Sequence, residues 1–310
     1  MTASVSLRPA TAADSRACFA IFRRSLGDLL TRLGYRAAGA GGYRAAAPPP
    51  SDPAALWPAY ETLFAHLAAT CAQWWIAERA DDGAALGYAR STQRGGTLEL
   101  TEFFVDPAAR VTGIGRALLE RAFPLGLGEH RAVIATIDAP AVALYLRFGV
   151  THQSTGIDVS GRPRAVALPT GYDVAPATLE EILALERELL GHAREADVRF
   201  MLGNRPAALL RRDGRPVAYA FEANEHGFAG PVGALDPADL PAALAHVEGT
   251  AHAAGVESLD LTLPLSARTA VDWLVGERRF RIDPFYCLFL ADGSWARLDR
   301  YMPFNPCLIL

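Results

Sequence analysis

The chain has no lysine: its 30 basic residues are all arginine. That absence excludes a Walker phosphate loop, whose Gly-Lys-Ser/Thr core needs the lysine. Cysteine is scarce too. Cys18, Cys71, Cys287 and Cys307 lie far apart with no CxxC spacing, so reduced buried thiols are expected and a disulfide frame is not. No stretch approaches the ~18 apolar residues of a membrane span, and MTASVSLRPATAAD lacks the apolar core of a secretion signal. Basic charge is not in excess: a formal charge of −4 and a pI near 6.0 leave no electrostatic footprint for nucleic acid. The histidines show no metal-ligand spacing, and His246 and His252 would fall on different faces of a helix. The expectation is a cytoplasmic protein with no metal, no membrane and no nucleic-acid partner.

What the chain does have is length and apolar residues. Its 310 residues, 51% of them hydrophobic, suffice for two cores. One stretch organises the rest: LELTEFFVDPAARVTGIGRALLERAF, from Leu98 to Phe123. Leu98 to Val105 reads as a strand bounded by Gly95-Gly96 and Asp106-Pro107. A helix is expected from about Ile114, with Leu118, Leu119, Ala122 and Phe123 on its apolar face, ending at Pro124. Between them, Arg110 to Gly115 is a glycine-rich turn feeding a helix N-terminus. Such a turn leaves backbone N–H groups pointing together at the positive end of the helix dipole, where a pyrophosphate is well received. A dinucleotide fingerprint would need a third glycine where Leu118 stands, so GIGRAL matches it poorly. An ordinary strand-to-helix turn that needs glycine for its positive φ is the plain alternative.

A third pattern fits at every position: strand, Val-x-Pro, Arg/Gln-x-x-Gly-x-Gly/Ala, helix, here Val105, Pro107, Arg110, Gly113 and Gly115. This resembles the acetyl-coenzyme A loop of the GNAT acetyltransferase superfamily. The resemblance implies acetyl-coenzyme A as co-substrate, held by Phe104, Val105, Arg110, Val111, Thr112, Gly113, Ile114, Gly115 and Arg116. It extends to Asp138-Ala-Pro-Ala141 through Leu144-Tyr145 to Gly149-Val150, which is similar to the family's Asn-x-x-Ala-x-x-Leu-Tyr and Gly-Phe. Asp138 replaces the usual Asn and Val150 the usual Phe. Asp138, also assigned to coenzyme binding, is expected to cap a helix. Tyr145 occupies the position from which the family's general acid reaches the coenzyme sulfur; otherwise it is an amphipathic core tyrosine. A phenol pKa of ~10 suits protonation of a thiolate leaving group.

The order of elements is an independent sign. Val5 to Pro9 reads as a strand, with Thr11 and Asp14 opening a helix through Phe19, Phe22, Leu26 and Leu30. Gly34 to Pro53 is a Gly/Ala/Pro-rich loop, and a second helix runs to about Ala72. Strands 74–78 and 85–90 flank the Asp82-Gly83 turn; the central strand, its helix and the strand Ala132–Thr136 follow. Strand, two helices, hairpin, strand, helix, strand is the order of the GNAT fold, an α/β (α+β) arrangement with a mostly antiparallel sheet flanked by helices.

Acetyl transfer to an amine needs a proton acceptor, because alkylammonium pKa values lie near 10. Glu99 and Glu102 are the candidates. Three residues apart, they point to opposite faces of a regular strand. Glu99 stands at the spacing of the glutamate base in the family's histone-acetylating branch and is favoured; a bulge would change the parity and admit Glu102. Either could instead be a solvated strand residue.

The second half repeats the first in degenerate form. Val174-Ala-Pro176-Ala-Thr178 echoes Leu7-Arg-Pro9-Ala-Thr11, Leu235-Asp236-Pro237 echoes Val105-Asp106-Pro107, and a hairpin is expected around Asp213-Gly214. The loop residues are replaced by Leu240, Ala243 and Ala245, and Tyr145 by a residue near Leu274. Residues 1–168 are therefore expected to form an active GNAT domain and 169–310 a GNAT-like domain without a phosphate loop. Mycothiol synthases also carry two such domains, but with the complete loop expected in the second. The apolar close Tyr301–Leu310 should dock on a surface. The expected reaction is direct attack of a primary amine, on a small molecule or peptide, upon the thioester. A non-catalytic acyl-coenzyme A sensor is the alternative, and a homodimer is left open.

Overall fold

The computed structural model describes residues 4–34, 53–110, 113–293 and 296–304. Most of the expected loop Gly34–Pro53 (residues 35–52), Val111, Thr112 and residues 305–310, with Cys307, lie outside them. Two compact units emerge: Met1–Val133 with Asp138–Gly149, and Ile134–Ile137 with Val150–Leu310.

The first unit follows the expected order. Strand β1 (Val5–Pro9) leads through a 3-10 turn into α1 (Ser15–Arg32), then α2 (Pro53–Thr70), β2 (Cys71–Arg79), β3 (Ala85–Arg94), β4 (Thr97–Val105), α3 (Ile114–Ala122), β5 (His130–Thr136), whose residues from Ile134 on count with the second unit, and α4 (Ala139–Arg147). The Thr11–Asp14 capping box opens the first turn, with the Thr11 N–H donating to Asp14 at 2.7 Å. Strands β1 to β4 pair antiparallel in sequence order, and β5 joins β4 in parallel. Phe19, Trp57 and Phe64 pack edge-on where α1 crosses α2, with ring centroids 5.4 to 5.7 Å apart.

The second unit holds β6 (Thr151–Gly161), β7 (Tyr172–Pro176), α5 (Leu179–Leu190), α6 (Glu195–Asn204), β8 (Ala207–Arg212), β9 (Arg215–Phe221), β10 (Val232–Ala234), α7 (Leu240–Ala253), β11 (Leu259–Pro264), α8 (Arg268–Val271), β12 (Arg281–Ala291) and β13 (Tyr301–Met302). Its capping box at Thr178 and Glu181 and its turn at Asp213-Gly214, both at positive φ, form where the sequence sets them. One sheet runs β13-β10-β9-β8-β7; separately, β6 lies between β12 and β11, antiparallel to both. Leu240, Leu244 and Val247 of α7 pack with Leu259, Leu261 and Leu263 of β11 in the core. The repeat in the sequence restarts near Pro169, but β6 packs with strands that come after that point. Of the closing segment, Tyr301 and Met302 are buried and pair with β10. Cys18, Cys71 and Cys287 are free thiols, and no helix among the described residues is long and apolar enough to cross a membrane.

Candidate functional site

Strand β4 positions the site by leaving its neighbour early. It is nine residues long, yet it pairs with β5 only at Thr97–His130, Leu98–Arg131 and Glu99–Ala132. Leu100 to Val105 continue past that fork and run into the glycine turn. There Asp106 accepts from the Ala108 N–H at 3.0 Å, fixing the 3-10 turn Pro107–Ala109. Gly113, at φ +79°, is the N-cap of α3. A Cβ built on Gly113 would have no atom within 4 Å, so the space before the helix is open; one on Gly115 would meet the Phe103 ring at 3.1 Å and Leu144 at 3.5 Å. The two glycines thus serve different ends, a left-handed turn at one and close packing at the other. Val111 and Thr112 lie outside the described residues. The backbone N–H groups at the start of α3 and the Arg110 side chain, half-exposed, fit an anion.

Both faces of β4 carry site residues. Phe103 points toward α3 and α4, where the Tyr145 ring meets it edge-on at 5.8 Å. Tyr145 is buried, and burial, then the charge of Asp138, push its phenol well above its ordinary pKa. It therefore stays protonated at neutral pH, and its hydroxyl has no hydrogen-bond partner among the described residues. On the opposite face, Phe104 packs on Phe22 of α1 with ring centroids 5.0 Å apart.

The two glutamates do not point to opposite faces. The β3–β4 register passes from Arg90–Glu102 to Ser91–Leu100, leaving Thr101 as a bulge, and then to Thr92–Glu99. The extra residue restores parity, so Glu99 and Glu102 share one face. Their surroundings differ. Glu102 is held by Arg90 at 2.6 Å, both side chains fully buried, and accepts from the Tyr88 hydroxyl at 2.7 Å. The Arg90 guanidinium lies 4.1 Å from the Trp74 ring centroid. The Arg90–Glu102 contact is ionic without a well-aligned hydrogen bond between Nη2 and Oε2. Glu102 is spent on this buried pair. Glu99, also buried, sits at the fork itself, the last residue of β4 that pairs with β5.

Asp138 corrects the expectation of a cap. It occupies the N-cap position of α4 but makes no side-chain cap bond; its carboxylate instead accepts from Arg32 of α1 at 3.1 Å. Arg32 and Arg110 both donate to Oδ2 of Asp28. Arg116 pairs with Glu120 on the exposed side of α3. Asp28 and Arg32 were not singled out from the sequence. Their i,i+4 spacing announces their own pair, but nothing local links them to Arg110.

The second unit repeats the frame without the site. Asp236 accepts from Ala238 at 2.9 Å, as Asp106 does from Ala108. But α7 starts at Leu240, directly after its 3-10 turn, so the four residues Arg110 to Gly113 between the 3-10 turn and α3 have no counterpart. Ala243 and Ala245 are buried inside α7. β10 has three residues where β4 has nine. Trp273 and Leu274 are the buried residues of a π-helical turn, Asp272–Glu277. Among the described residues no group of His, Cys, Asp and Glu is placed to hold a metal.

Residues 43–150 match the model of the acetyltransferase (GNAT) family. No curated protein matches the chain. Among solved structures it is similar to a Pyrococcus horikoshii protein assigned to the acetyltransferases, at 14% identity and a TM-score of 0.69, covering 99% of this chain and 96% of that one. A GCN5-related N-acetyltransferase from Sphaerobacter thermophilus gives 16% identity and a TM-score of 0.59, covering 93% and 95%. A tandem GNAT protein from the clavulanic acid biosynthesis pathway gives 16% and 0.55, covering 94% and 99%. At these identities the likeness is one of fold, and it runs through both halves.

Proposed function

We propose that the first unit is an acetyl-coenzyme A-dependent N-acetyltransferase acting on an amine of a small molecule or peptide. The observation that carries this reading is the fork of β4 from β5 at Glu99, on the strand that leads to the open turn at Gly113. The N–H groups at the start of α3 and the Arg110 guanidinium would hold the pyrophosphate. The edge of β4 beyond the fork offers backbone groups to an amide-bearing arm in the manner of an added strand. Bound there, the co-substrate supplies an activated acyl group: the amine nitrogen bonds to the carbonyl carbon as the C–S bond breaks. Tyr145, kept protonated by burial, gives its proton to the departing sulfur. Glu99 takes the proton from the amine, and Glu102, neutralised by Arg90, holds the strand. The acceptor side is assigned to α1 and α2 around Phe22, Leu26, Tyr60 and Phe64.

Calorimetry with acetyl-coenzyme A, followed by thiol release over a panel of polyamines, aminoglycosides, amino-sugar amines and peptide N-termini, tests this. Binding with acceptor-dependent thiol release is expected. Binding with no release for any amine would favour the sensing protein; no binding would overturn the reading.

A further inference from the structure

The turn proposed to receive the pyrophosphate already has an anion on its arginine. Asp28 of α1 accepts from Nη1 of Arg110, and the same oxygen accepts from Nε of Arg32 at 2.8 Å. Arg32 reaches on to Asp138, at the N-terminus of α4, at 3.1 Å. Arg110, Asp28, Arg32 and Asp138 thus form an alternating chain of charges across three elements, with no net charge of its own. Asp28 is fully ionised at any working pH, because Arg32 first and Arg110 second hold its carboxyl below the usual range. The chain is open to solvent: the Arg110 and Asp28 side chains are 31% and 32% exposed, so its contacts exchange at little cost.

Resting on the reading that the turn binds a pyrophosphate, we propose that Asp28 is a built-in competitor for Arg110. A guanidinium nitrogen donating to a carboxylate is not donating to a phosphate, and a fixed negative charge beside the turn repels a polyanion. The competitor sets the affinity of the site: the coenzyme must displace Asp28, which then keeps Arg32 as its partner. The same exchange frees product after each turnover, because Asp28 is the anion waiting to retake Arg110. An aspartate that only aimed Arg110 would act in the opposite sense, since its loss would weaken binding.

The test is the full-length protein with Asp28→Asn and Asp28→Glu, titrated with acetyl-coenzyme A and with coenzyme A by calorimetry at two salt concentrations. Asp28→Asn keeps the shape and removes the charge. Its Kd is expected to fall by about three- to tenfold, the scale of one partly exposed charge pair. The difference from wild type should shrink at 0.5 M salt as the charges are screened. Asp28→Glu, which retains the charge, should stay near wild type. In steady state KM for the coenzyme should fall by more than kcat changes, as expected for a change in ground-state binding. An Asp28→Asn variant that binds equally or more weakly than a wild type that does bind overturns this inference alone. A wild type that binds no coenzyme overturns the reading beneath it.

Discussion

Gly113 and Gly115 stand two residues apart, and their substitution should fail for different reasons. Gly113→Val meets open space but must adopt φ +79°, a strain of about 1–2 kcal/mol. A small loss of Tm and a large loss of coenzyme affinity are expected, because the new side chain fills the approach to the α3 N–H groups. Gly115→Val drives a side chain into Phe103 and Leu144, so its first effect should be on Tm. Thermal shift with and without coenzyme separates the two. At Tyr145, removal of the hydroxyl alone should cut kcat by roughly 10²- to 10⁴-fold while calorimetric affinity for the coenzyme holds. Equal rates for Tyr145→Phe and wild type would remove the phenol from the reaction. The glutamates divide in the same way. Glu102→Gln strips the partner from the buried Arg90 and should cost about 3–5 kcal/mol of stability, read by denaturant unfolding, whereas the effect that marks Glu99→Gln should be a changed pH–rate profile.

Single elements show how far the sequence could be read. Capping boxes at Thr11 and Thr178, the Asp-Gly turns and the Asp-Pro entries to both short helices are local chemistry, and each lies where its residues set it. The Thr101 bulge is different. Nothing in LELTEFFV marks which residue stands out of register, because the bulge is fixed by what β3 offers across the strand, Arg90 to Glu102 and Thr92 to Glu99. Helix α6 was illegible for a related reason: Arg194 at its N-cap makes no cap bond and is instead buried against Glu186 of α5. The three strands β12, β6 and β11 carry a further consequence of tertiary packing. Asp158 of β6 accepts from Thr262 of β11 at 2.8 Å, and burial, with Asp283 of β12 adding its charge, pushes its carboxyl up to about 6. The folded state therefore binds this proton more tightly than the unfolded chain, whose aspartates titrate near 3.9. Stability from this group is complete below pH 4 and is lost as pH rises to about 6. Asp158→Asn should raise stability by about 1–3 kcal/mol at pH 7–8 and leave it unchanged near pH 4. A Tm series from pH 4 to 8 checks both the size and the sign.

For the whole molecule, the decisive feature is that the packing units do not follow the order of the repeat. β6 ends at Gly161, but both of its partners, β11 and β12, come after residue 258. A fragment of residues 1–168 is therefore expected to aggregate, since its last strand would have two bare edges and an apolar face carrying Ile157 and Val159. Size-exclusion chromatography of the fragment beside the full chain is the check, and a soluble monomer with native-like coenzyme affinity would contradict it. The loss of the glycine turn from the second half was legible because it is a matter of residue identity; the late partners of β6 were not, because pairing at that distance leaves no local mark.

The same late pairing gives the protein a timetable. Thr151 of β6 meets Ala291 of β12 across 140 residues of chain. A ribosome adding about 5–20 residues per second needs roughly 7 to 28 s to make that stretch. Through that interval β6 waits with both edges unpaired, open to chaperones and to other nascent chains on the same message. Synonymous changes that slow translation between residues 161 and 281 would lengthen this window and lower the yield of folded protein, with every amino acid unchanged.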